Sequence, residues 1–167
     1  MPAISKLGRA LMAIEGWLLL PTLGALLAFI TIGVFVQVIL RYIFSTNFLW
    51  GEEMALLAFI WSIFIGAAVG VRRGIHLSFE LFPLYFKGRS AGAHSLLVNL
   101  ITLAVCALQV TEGWNFAVLN LGRQSPAIGI NLFIPTLIIP LSGVFMVLAT
   151  LDRMAADFRK IATGLDA

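Results

Sequence analysis

Two carboxylates, Glu52 and Glu53, stand side by side in the stretch NFLWGEEMALLAFIW, just before a long apolar run. An acidic pair at such a boundary has two possible uses. It can carry a proton or a cation, or it can occupy the first turns of a helix, where free backbone N–H groups and the helix dipole favour negative charge. Proton transfer through a bilayer needs further ionisable groups at depth, and the apolar runs offer only Glu112. Trp50, next to the pair, suits the headgroup level. The carboxylates are therefore expected near water, with Thr46 or Asn47 capping the helix they begin. Glu112 is expected toward the outer end of its own run, neutralised by Arg41 or Arg123.

The remaining polar candidates are sparse. His76 and Glu80 would share a helical face, but two side chains do not make a metal site. His94 lies in the same connection as His76, so the paired axial ligands of a haem-binding membrane anchor are missing from the apolar runs. Cys106 stands alone inside one of those runs. The sequence has no G-x-S-x-G, H-E-x-x-H or Walker A pattern. No enzyme activity, cofactor or metal is expected.

The elements that carry these residues follow from composition. Of 167 residues, 60% are hydrophobic and only 11% charged, too little polar surface to cover a water-soluble globule. Four apolar runs can be drawn, about 17–40, 54–71, 96–119 and 128–151. The first would rise about 36 Å as a helix, against a hydrocarbon core about 30 Å thick. Pro135 and Pro140 interrupt the last run and should kink its helix or delay its start to Pro135. The expected fold is an all-α integral membrane protein, a single four-helix domain over residues 1–167. The first run is longer than the apolar core of a signal peptide and no A-x-A site follows it, so it is expected to be retained.

Basic residues set the orientation. Lys6 and Arg9 precede the first run, Arg72, Arg73, Lys87 and Arg89 lie between the second and third, and Arg153, Arg159 and Lys160 follow the fourth; Arg41 and Arg123 alone occupy the other two connections. Both termini are thus expected in the cytoplasm. The net charge of +3 reflects topology rather than nucleic-acid binding, since the basic residues flank apolar runs. The connection VRRGIHLSFELFPLYFKGRS is too short to span. Its aromatic and apolar residues, flanked by Arg72, Arg73, His76, Lys87 and Arg89, suit a short element in the cytoplasmic interface, where basic side chains meet anionic lipid.

Within the second run, Ala58, Ser62, Gly66, Gly70 and Gly74 recur at every fourth position. Small side chains so spaced let another helix approach closely. That helix could belong to this chain or to a separate membrane subunit.

RYIF from Arg41, WGEE from Trp50, FIW ending at Trp61, GAAVGVRRGIH from Gly66 and the IP steps at Pro135 and Pro140 occur in an order that resembles the small membrane subunit of tripartite ATP-independent periplasmic (TRAP) transporters, the DctQ-like family. The resemblance implies a non-catalytic partner of a large multi-span permease subunit in the bacterial inner membrane. In this family the large subunit carries substrate and sodium, and a periplasmic binding protein delivers an organic acid for symport. The small subunit would be a fixed scaffold contributing to the docking surface. On that reading Arg41, Trp50, Glu52, Glu53, Trp61, Ser62, Gly66 and Gly70 belong to subunit or docking interfaces. Two other classes stay open on the residues alone: a membrane anchor of an electron-transfer complex, and a small self-assembling channel or exporter.

Overall fold

The computed structural model describes residues 6–46, 48–74 and 89–163, with the side chains of 89–96, 156–157 and 159–163 excepted. Asn47, His76 and Lys87, and the expected interfacial element, lie outside the described residues, as does the side chain of Arg89. The regular structure described is helical: α1 (Lys6–Ile14), a π-helical turn (Glu15–Leu19), α2 (Leu20–Ile43), α3 (Leu49–Arg73), α4 (Arg89–Leu119), α5 (Phe133–Thr136) and α6 (Ile138–Thr163). Among the described residues four helical stretches are long and apolar enough to cross a membrane: Lys6–Ile43, Leu49–Arg73, Leu97–Leu119 and Phe133–Ala155.

The first helix starts well before Trp17 because nothing between Lys6 and Pro21 breaks it. Pro21 has no N–H and its ring crowds the carbonyl four residues back. The helix widens just ahead of it, and the Leu20 N–H reaches the Glu15 carbonyl five residues away. The second helix begins at Phe48, which offers no side-chain cap; the Thr46 hydroxyl instead donates to the Phe44 carbonyl. It ends at Gly74, whose φ of 75° is the left-handed conformation that terminates many helices.

Prolines shape the fourth span as their chemistry requires. Phe133 N–H is capped by the Asn131 side chain at 2.9 Å, and α5 runs only to Thr136. Pro140 cannot donate to the Thr136 carbonyl, so the chain breaks at Leu137 and resumes as α6, with Pro140 in the first turn, where a missing N–H costs least. The connection before it folds back on itself through Ser125 N–H to the Ile130 carbonyl (2.9 Å) and Leu132 N–H to the Arg123 carbonyl (2.9 Å).

The helices form a row. α2 packs on α3, α3 on α6, and α6 on α4. Burial follows this order: the fourth span is the most enclosed within the chain, α3 next and α4 least of the three, and α2 has no buried residue. The shared core is Ala68 and Val71 of α3, Cys106 of α4 and Met146 of α6.

Glycine sets the tightest joint. A Cβ on Gly113 of α4 would lie 2.7 Å from Ile139 Cγ2 and 3.1 Å from the Pro140 backbone nitrogen; one on Gly143 of α6 would lie 2.9 Å from Val110 Cγ2 and 3.3 Å from its backbone nitrogen. The α3 stripe behaves differently. Ala58 and Ser62 are buried within the chain, whereas a Cβ on Gly66 would meet nothing within 4 Å. Gly113→Ala should therefore lower stability by about 1–3 kcal/mol through overpacking against backbone, and Gly66→Ala should not lower it, since alanine is the better helix former. Thermal unfolding of the two variants in detergent tests the contrast; equal melting would contradict the packing described.

Candidate functional site

The side chains that tie the row together are polar, and they lie at both ends and at the proline break. Glu53, in the second turn of α3, accepts hydrogen bonds from the backbone N–H groups of Ala127 (2.9 Å) and Ile128 (3.2 Å). It holds the connection between the third and fourth spans against the start of the second. Glu52, the preceding residue, is exposed. Both carboxylates line a shallow apolar cleft with Leu49, Leu56, Pro126 and Ala127. Trp50 is about half exposed and its ring lies 4.0 Å from that of Phe48. Arg41 and Arg123 are exposed at the same end.

Twelve residues into α3, Trp61 donates its indole N–H to the Pro135 carbonyl at 3.0 Å, joining α3 to α5 at the broken start of the fourth span. The Gln109 amide of α4 donates to the Ile139 carbonyl (3.2 Å) and to Ser142 Oγ (3.0 Å). Ser62 turns back to the Phe59 carbonyl of its own helix at 2.8 Å. The Trp61 and Gln109 bonds each reach across to a carbonyl in or beside the proline break, where polar side chains join neighbouring helices within a membrane.

At the opposite end, Glu15 of the π-helical turn is only 5% exposed and pairs with both Arg72 and Arg73 of α3; the Arg73 Nε to Glu15 distance is 2.7 Å. Arg153 of α6 donates to the Val71 carbonyl at 2.9 Å. The ends of the first, second and fourth spans are thereby fastened together. Glu15 and Gln109 were not among the expected site residues. The available clue was charge: Glu15 is the acid that precedes the first apolar run, on the end where Arg72 and Arg73 were expected.

The expected ion pair of Glu112 with Arg41 or Arg123 does not form. Glu112 is exposed on α4, and among the described residues it has neither an ion pair nor a side-chain hydrogen bond. Gly66 and Gly70, the other expected interface positions, remain partly exposed on α3. Among the described residues no three His, Cys, Asp or Glu side chains converge on a metal-sized site.

Comparison with known proteins adds the following. The family model described as "Tripartite ATP-independent periplasmic transporters, DctQ component" matches residues 30–160. The chain is 30% identical over 112 residues to the C4-dicarboxylate TRAP transporter small permease protein DctQ of Vibrio cholerae, covering 67% of this chain and 47% of that protein, so it spans about half the relative's length. It is 24% identical over 151 residues to the sialic acid TRAP transporter small permease protein SiaQ of the same organism, covering 90% of this chain and 85% of that one.

The two glutamates should separate cleanly. Glu53→Ala removes the acceptor for two backbone donors in a partly exposed setting, a loss of about 1 kcal/mol. Hydrogen exchange at Ala127 should accelerate some fivefold, and less at Ile128, whose N–H also reaches Ser125 Oγ at 3.3 Å, while Glu52→Ala leaves both unchanged. Equal exchange in both variants would contradict the division of roles.

Proposed function

Because the chain belongs to the DctQ component family of tripartite ATP-independent periplasmic transporters, we propose that it braces the large permease subunit of such a transporter as a fixed scaffold and contributes to the surface on which a periplasmic binding protein docks. It is a multi-pass protein of the inner membrane, and in this reading both termini face the cytoplasm. The end carrying Arg41, Trp50, Glu52 and Glu53 then faces the periplasm, with Glu52 free for a docking contact and Glu53 engaged in holding the adjoining connection. The driving force is a sodium gradient acting on the large subunit, and the cargo is an organic acid.

The observation that supports the scaffold role is the row itself. A single layer of four helices leaves two broad apolar faces uncovered, and α2 contributes no buried residue to its own chain. Such a layer enlarges a membrane-embedded neighbour at little cost in internal packing. Gly66, whose Cβ position is open, offers a place for a neighbouring helix to come close. Arg72 and Arg73 share Glu15, so they fasten the layer first and meet lipid headgroups only with their remaining N–H groups.

The test is reconstitution. Proteoliposomes containing the large subunit, a loaded binding protein and an inward sodium gradient should take up substrate at least tenfold more slowly without this chain than with it. Full uptake by the large subunit alone would overturn the scaffold reading while leaving family membership intact.

A further inference from the structure

Glu112 lies far deeper in the row than its distance from the nearest connection suggests. Its neighbour Gly113 packs on Ile139 and Pro140, which follow Pro135, the residue that Trp61 reaches. Trp61 is itself about 16 Å along α3 from Trp50. With Trp50 at the headgroup level, Glu112 falls near the middle of a hydrocarbon core about 30 Å thick. Counted along its own span, which ends at Leu119, it still lies about 10 Å inside.

The side of α4 that bears it points away from the row. Cys106 and Gly113 pack toward α6 and Ala117 is buried, whereas most of the remaining circumference is exposed, including Ile101, Val105, Leu108, Glu112, Asn115 and Leu119. These six recur at alternating steps of four and three. That is the spacing of a seam along which one helix packs on another, and polar residues at seam positions fix register and partner. Two successive positions of this seam, Glu112 and Asn115, are polar, and neither has a side-chain partner among the described residues.

A carboxylate at this depth facing lipid is costly, and intramembrane ionisable residues face other protein or water and pair with one another. A second copy of the chain packed along the same seam would bring two Glu112 carboxylates together, which like charge opposes. A cation on a different chain answers both difficulties. We propose that the outward face of α4 is the seam on which a transmembrane helix of the large permease subunit packs, and that an Arg or Lys of that helix pairs with Glu112 beside the Asn115 amide. The assignment rests on the subunit role proposed above and names the helix, and the chemistry, through which it acts.

The experiment uses the co-expressed complex in native membranes. A photoreactive amino acid at Val105 or Leu108 should crosslink to the large subunit, and Glu112→Leu should reduce the co-purified large subunit about tenfold while membrane insertion of this chain is unchanged. If Glu112 faced lipid, leucine would be neutral or favourable, so undiminished co-purification overturns the seam. Crosslinks from Val105 and Leu108 only to lipid or to a second copy also overturn it. Both results count against the seam alone when the wild-type chain co-purifies with the large subunit. A wild-type chain that does not co-purify overturns the subunit reading and the seam with it.

Discussion

In hydrocarbon, apolar side chains gain little by leaving lipid for one another, so helices stay side by side only where backbones come close or polar groups lack another partner. Each joint of this row meets that condition. Between α4 and α6 it is Gly113 and Gly143 with the Gln109 amide. Between α3 and the fourth span it is the Trp61 indole on the Pro135 carbonyl, with Arg153 on Val71 at the far end. Between the first and second spans the contacts are Gly51 beside the Gln37 amide and Glu15 between two arginines. The packed cluster of Ala68, Val71, Cys106 and Met146 adds van der Waals contact to these joints.

The same constraint explains why the proline break is tolerated. Pro135 and Pro140 interrupt the helix, and Trp61 and Gln109 reach carbonyls on either side of the interruption, those of Pro135 and Ile139, from the neighbouring helices. The break thus fastens α6 at the centre of the row, where it is flanked by both α3 and α4. The Glu15 cluster works differently. Net gain from such a pair is small, but loss of one partner leaves charge uncompensated, so it favours one arrangement of the helix ends over others.

Local chemistry made much of this legible in advance. Run length and the paucity of charge identified four helices, and Pro135 and Pro140 marked the irregular entry to the last. The glutamate pair marked the start of α3, although Phe48 rather than Thr46 occupies the cap position. What escaped depends on register between distant segments. The pairing of Glu15 with Arg72 and Arg73 joins residues more than fifty positions apart, and no local pattern encodes it. The small-residue stripe of α3 marked a place where a helix can come close, but nothing in the spacing of α4 or α6 marked the close approach at Gly113 and Gly143, where those two helices are in step. The level of Glu112 beside Ile139 and Pro140 likewise follows from that register, which is not visible in spacing along one helix.

If the chain is a fixed layer, its two edges keep their separation while the transporter works. Spin labels at Ile32 of α2 and Leu100 of α4, both exposed positions on edge helices, report that separation in the reconstituted complex by pulsed electron resonance. A fixed layer gives one distance, unchanged to within roughly the width of the label's own rotamer distribution, with and without sodium and substrate-loaded binding protein. A second distance population that appears with substrate, displaced by about one helical turn or more, would mean that the row itself moves, and would contradict the scaffold.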